Sequence, residues 1–178
     1  VELQAPVIRT ARLTLRPFAG EDVAELHRLF RNADVRRYLL DDMVVTREWV
    51  EDEVADSRAR FAQIGCGLWA LTEHDRAEVV GFVGFRPFFD PPELQLLYGL
   101  LPSCWGRGYA TEAAEAAIAH AVHALGMDEI RAATDASNTA SIAVLNRLGL
   151  RERSRSCDGA RETVFFDLSA SEWRERSS

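Results

Sequence analysis

Two glycines stand between the end of an apolar run and the start of an alanine-rich one. The stretch from Pro102 to Ala114 reads PSCWGRGYATEAA. Gly106 and Gly108 permit positive φ and let a ligand come close to the main chain. The amides that open the following helix have no partner inside it, and with the helix dipole they favour an anion. A pyrophosphate is the natural guest. The pattern is neither G-x-x-x-x-G-K-[ST] nor the three-glycine dinucleotide fingerprint, and the chain has no lysine to reach a terminal phosphate. On its own, strand-Gly-x-Gly-helix serves a tight turn as readily as an anion cradle.

The flanking elements can be read from periodicity. Arg12 to Arg16 alternates like a strand, with Leu13 and Leu15 on one face, and Pro17 and Gly20 end it. Glu21 to Arg31 carries Val23, Leu26, Leu29 and Phe30 at helical spacing. Thr46 reads as an N-cap opening a second helix that Gly65 and Gly67 close, with Trp49, Val50, Val54 and Phe61 as buried positions. Strands are expected over 68–72, 79–85 and 94–101, joined by turns at Asp75-Arg76 and Asp90-Pro91-Pro92 that favour an antiparallel meander. After the glycine loop comes a helix with a small-residue stripe from Ala110 to Leu125. A strand over 129–134, a helix over 139–148 and a strand over 163–168 follow. Local pairing followed by strand–helix alternation predicts a mixed α/β sheet in one domain over 1–178, with a short flexible tail after about residue 169.

Composition narrows the class. The 178 residues are 47% hydrophobic and 28% charged, which suits one folded domain. All 21 basic residues are arginine, and the net charge of −7 argues against general nucleic-acid binding. No apolar run has the length of a membrane span, and VELQAPVIRTARL lacks the profile of a signal peptide. Cys66, Cys104 and Cys157 are odd in number and far apart, without disulfide-framework or metal-ligand spacing. A cytoplasmic protein, monomeric or homodimeric, is the expectation.

The run from Trp105 to Ala113 resembles the acetyl-CoA pyrophosphate loop of the GNAT acetyltransferase superfamily, written Gln/Arg-x-x-Gly-x-Gly/Ala. Gly108 and Ala110 match, while Trp105 replaces the leading Gln or Arg. TARLTLRPF, LQLLYGLLP and NTASIAVLNRLGL extend the resemblance over nearly the whole chain, and it is nearest to the RimJ/RimL-like branch of ribosomal-protein N-terminal acetyltransferases. The resemblance implies a central, mostly antiparallel sheet flanked by helices and splayed between its fourth and fifth strands, with acetyl-CoA in the splay. It implies that the amides of Trp105, Gly106, Arg107, Gly108, Tyr109 and Ala110 cradle the pyrophosphate, with the Thr111 hydroxyl as a further donor. Gly99, Leu100 and Leu101 are implied to pair with the pantetheine arm and to polarise the thioester through one amide. Asn138 and Asn146 are implied contacts to the arm.

Acetyl transfer to an amine needs a neutral nucleophile, a stabilised oxyanion and a donor for the departing thiolate. The resemblance makes Ser141 the donor near sulfur, and the tyrosine acid of other branches would fall at Leu145. Relatives often carry a glutamate at the place of Gln95, which cannot act as a base. Glu93 lies on the same strand face, about 6–7 Å away, and is expected to relay the amine proton through water. The co-substrate is acetyl-CoA, with no metal. The acceptor is a protein N-terminus or a small-molecule amine, attacking directly in a ternary complex. The alternative is an acyl-CoA sensor with impaired catalysis, favoured by Gln95 and Leu145. Asp41-Asp42-Met43 lies where this fold builds its acceptor pocket. His120 and His123, three apart on the alanine-rich helix, have no partner at ligand spacing.

Overall fold

The computed structural model describes residues 5–177. Five strands form one antiparallel sheet in sequence order: β1 (Ile8–Arg9), β2 (Leu13–Pro17), β3 (Leu68–Glu73), β4 (Val79–Phe88) and β5 (Glu93–Leu100). A second sheet has the order β6-β8-β7, from β6 (Glu129–Asp135), β7 (Arg151–Asp158) and β8 (Arg161–Ser169). No ladder joins β5 to β6 among the described residues. Leaving aside the two-residue β1, the sheet therefore opens between the fourth and fifth strands, as the resemblance implied.

Helices cover both faces. β3 sends Leu68 and Ala70 to one side and Trp69 and Leu71 to the other, and all four are buried. A strand covered on both faces reads as a continuous apolar run. On the first side lie α1 (Val23–Arg31), the four-residue α2 (Ala33–Arg36) and α3 (Arg47–Ile64), packed through Leu26, Phe30 and Val54. The Thr46 hydroxyl caps α3 by accepting the Trp49 amide at 3.1 Å, and Gly65 ends it at φ 77°.

The other side holds α4 (Tyr109–Ala119), extended by a single π-turn over His120–Ala124. Ala113, Ala114, Ala117 and Ala121 are wholly buried, so their small side chains let this helix lie close against the sheet. The helix α5 (Thr139–Leu148) packs beside it through Leu145 and Leu148.

Three elements depart from the sequence reading. β7 is exposed at all eight residues, so RERSRSCD has no apolar alternation to betray a strand; it forms because β8 offers a ladder. The four-residue α2 is too short for a helical period. The expected flexible tail is instead α6 (Ala170–Arg176): Ser169 and Glu172 form a capping box and Trp173 is buried against the core.

Candidate active site

The gap between the sheets encloses a cavity of about 600 Å³. β5 and β6 form two walls, α5 closes a third, and the loop ahead of α4 closes one end. Residues of segment 34–39 line it as well.

The loop end presents main-chain amides that no helical bond uses. Gly106 and Gly108 sit at φ 71° and 78°, and Gly108 is the N-cap of α4. Glu112 makes the first helical bond, to the Gly108 oxygen at 3.1 Å. The amides of Tyr109, Ala110 and Thr111 thus precede the ladder, and the helix dipole adds positive potential there. Thr111 lines the same cavity, and its hydroxyl is buried without a hydrogen-bond partner.

A brace of ionic contacts holds the loop from behind. Arg107 does not line the cavity; it pairs with Glu73 at 2.8 Å. Its guanidinium and that of Arg12 lie 4.4 and 4.7 Å from the centroid of the Tyr109 ring. The Tyr109 phenol donates to Glu73 at 2.5 Å. That bond, with Arg107 and Arg76 nearby, holds the Glu73 carboxyl below its ordinary range. Trp105 departs from the expected cradle too: its amide already donates to Pro102 at 3.1 Å, and its indole Nε1 donates to the Leu100 oxygen at 2.9 Å. Trp105 ties the loop to the strand.

The β5 edge supplies main-chain groups. Leu101 donates its amide to Val80 at 2.8 Å, and the ladder runs on through Gly99 opposite Phe82. Antiparallel alternation then turns Gly99 and Leu101 toward β4, and Tyr98 and Leu100 toward the gap. Of the three residues expected to pair with a ligand arm, only Leu100 faces it. Gly99 answers a packing need instead, since a Cβ there would lie 2.6 Å from the Phe82 ring.

α5 brings the side-chain chemistry. The Asn138 Oδ1 caps this helix by accepting the Ser141 amide at 3.2 Å, so the Ser141 hydroxyl takes no part in capping. That hydroxyl lies 2.7 Å from the Tyr98 phenol, across the gap. Both residues line the cavity, as does Asn138.

Residues 12–151 match the acetyltransferase (GNAT) domain family. The chain belongs to the GNAT acetyltransferase family. It is similar to the uncharacterized N-acetyltransferase YoaA of Bacillus subtilis, 27% identical over 83% of this chain and 84% of that protein. It is 25% identical to the spermidine N(1)-acetyltransferase of Escherichia coli K12 over 76% of this chain and 70% of that one. A solved structure of RimL, a ribosomal L7/L12 alpha-N-protein acetyltransferase in complex with coenzyme A, superposes with a TM-score of 0.80. That match is 16% identical and spans 94% of this chain and 99% of RimL; it speaks to the fold.

GNAT chemistry is acetyl-CoA-dependent acetyl transfer, and the expected site residues can be placed against this cavity. Gly106, Gly108, Tyr109, Ala110, Thr111, Asn138 and Ser141 are brought together along it, and Leu145, also on its wall, packs into the core. Asn146 is exposed and off the lining, five positions on from Ser141 and so on another helix face. Glu93 is absent from the lining as well. One of its oxygens accepts Arg131, on β6, at 2.7 Å and the other accepts Gln95 at 3.2 Å, so the carboxylate is tied up in a contact from β5 to β6 rather than free on the cavity wall. Asp41 and Asp42 are ion-paired to Arg161 and Arg36, while Asp34 stands on the lining with no ion-pair partner among the described residues. His120 lies 3.0 Å from the Gly65 oxygen and packs on Trp69. No group of three or more potential metal ligands gathers among the described residues, and none of their helices is long and apolar enough to cross a membrane.

Sequence reasoning missed Tyr98. Its signal was a lone hydroxyl in an otherwise apolar strand, Leu-Leu-Tyr-Gly-Leu. Strand alternation alone does not reveal that α5 lies opposite. Arg147 was missed as well: it lines the cavity without a carboxylate partner among the described residues.

Proposed function

We propose that this protein transfers the acetyl group of acetyl-CoA to a primary amine by direct attack, in the manner of the RimJ/RimL-like branch. The supporting observation is one cavity lined both by the glycine loop with the start of α4 and by Ser141 of α5. The amides of Gly106 to Ala110, but not the engaged amide of Trp105 before them, hold the pyrophosphate with the Thr111 hydroxyl. The outward amides of Tyr98 and Leu100 bind the carbonyl-rich arm, and one of them stabilises the oxyanion as the amine adds. Ser141 donates a hydrogen bond to the sulfur as negative charge grows there. Such a bond acts mainly in the transition state. Asn138 fixes the start of α5 and so the position of Ser141.

The acceptor is a protein N-terminus or a small-molecule amine. An α-amino group, with pKa about 8, offers more neutral nucleophile at pH 7 than a lysine at about 10.4. That difference matters where the Glu93 carboxylate is already committed to Arg131. The test is a panel of amines, with an N-terminal peptide and spermidine among them, assayed with acetyl-CoA as release of free thiol. Turnover with any member supports the reading. Tight acetyl-CoA binding with no turnover across the panel would favour a sensor instead.

A further inference from the structure

We infer that Tyr98 is a positioning residue for Ser141: it donates its phenolic proton to the serine and so leaves the serine hydroxyl proton free for the departing sulfur. The inference rests on the proposed thiolate-donor role of Ser141.

The geometry carries it. Tyr98 Oη lies 2.7 Å from Ser141 Oγ and 3.3 Å from the Ser141 main-chain oxygen. The phenol has one proton to give, and of these two oxygens the serine hydroxyl at 2.7 Å is the nearer. Once a sulfur in the cavity accepts the serine proton, the 2.7 Å contact is made by the phenol donating to Ser141 Oγ. Its own proton must then turn elsewhere, and the cavity that both residues line is on that side. No acceptor for the Ser141 hydroxyl other than Tyr98 occurs among the described residues. Donors in a chain also polarise one another, which strengthens the terminal one.

The protonation state agrees. Burial pushes the Tyr98 phenol up to about 12, with the Ser141 bond pulling the other way. A thiol titrates near 8.5. The phenol therefore keeps its proton, and the pair passes hydrogen bonds rather than a proton to sulfur. During transfer the C–N bond forms, the C–S bond breaks, the sulfur leaves as thiolate, and the excess proton of the amine goes to solvent.

The pair also joins the first sheet to the helix facing it, from β5 to α5. Tyr98 thereby fixes Ser141 relative to the strand edge that would hold the thioester.

The test needs no acceptor. Free CoA is bound to wild type, Tyr98→Phe, Ser141→Ala and the double variant, and its thiol is titrated by the ultraviolet absorbance of the thiolate. CoA affinity well below the thiol pKa and melting temperature, measured on the same samples, show that each variant is folded and occupied. Ser141→Ala should reduce the bound thiolate fraction at neutral pH by on the order of 10-fold, as expected for loss of a charge-assisted bond. Tyr98→Phe should reduce it by roughly 3- to 10-fold, and the double variant should match Ser141→Ala alone. If Ser141→Ala lowers the fraction and Tyr98→Phe does not, Tyr98 merely packs; the inference falls and the serine role stands. Greater loss in the double variant than in Ser141→Ala would also overturn it, because Tyr98 would then act independently. No change in either single variant would remove both the serine role and the inference built on it.

Discussion

Arg12 and Glu112 lie a hundred residues apart in the chain, yet the glutamate accepts both the Arg12 amide at 2.8 Å and its Nε at 2.7 Å. The Thr10 hydroxyl adds a third bond at 2.6 Å. This knot clamps the first turn of α4, and with it the glycine loop, to the start of β2. Arg12 also donates to the Arg107 oxygen at 2.8 Å, inside the loop itself.

The knot has a pH signature. Burial alone would raise the Glu112 carboxyl, but the bonds from Thr10 and Arg12 outweigh it and hold the group below its ordinary range. A carboxyl depressed in the folded state stabilises the protein above the unfolded value, about 4.3, and that stability is lost as pH falls through the folded value. Glu112→Gln should therefore lower the melting temperature at pH 7, with the difference from wild type shrinking under acid conditions. Thermal melts from pH 7 down to about 3 check this; a constant difference across the range would rule out the ionic contribution.

Gly108→Val should abolish acetyl-CoA binding while the fold survives. A Cβ at Gly108 would meet only the Arg12 guanidinium at 3.4 Å, so the protein tolerates the added bulk, but φ 78° is a poor fit to a β-branched residue. The amides that follow would turn away from their common focus. Calorimetric titration with acetyl-CoA, beside a circular-dichroism spectrum, separates binding from folding. Normal affinity in a folded variant would move the pyrophosphate elsewhere.

Ser141→Ala and Asn138→Ala should fail differently. Loss of the serine hydroxyl should lower kcat by roughly 10- to 100-fold with little change in acetyl-CoA affinity. Because Asn138 is the cap, its loss should cost about 1 kcal/mol of stability as well as CoA affinity. Melting temperature and steady-state kinetics on the same preparations distinguish them. A Ser141→Ala protein with full kcat would end the donor assignment.

Glu93→Gln should leave the pH–rate profile unaltered. Its carboxylate is occupied by Arg131 and Gln95 and is not part of the cavity lining, so the substitution removes a partly exposed ion pair worth at most about 1 kcal/mol. A selective fall in rate at low pH would restore Glu93 as a water-mediated base.

The sequence was most legible where local patterns match tertiary demand. The Leu13–Leu15 alternation, the Thr46 cap and the alanine stripe of α4 each name their own burial, and the structure buries them. The glycine loop was legible because Gly106 and Gly108 both adopt positive φ. What escaped were relations between distant elements. Nothing near Glu93 announces that Arg131, 38 residues on, will hold it. Nor does strand position reveal which way a main-chain amide points: only the Leu101–Val80 bond fixes the outward set as Tyr98 and Leu100. β7 and α6 escaped for opposite reasons, one exposed throughout and the other anchored by a single buried tryptophan.

The missing ladder between β5 and β6 makes occupancy a matter of architecture. Elsewhere in both sheets neighbouring strands satisfy one another, but along this seam the outward groups of β5 have no strand to meet. A ligand that lies there binds the folded state and has no counterpart site in the unfolded chain. Mass action then couples its concentration to the survival of the whole domain, by about 2.7 kcal/mol at a hundred times Kd. Hydrogen exchange should register the same coupling locally, with the amides of Tyr98 and Leu100 slowing more on ligand addition than those of Gly99 and Leu101, which already face β4. Metabolite supply would thus tune the protein's lifetime as well as its turnover.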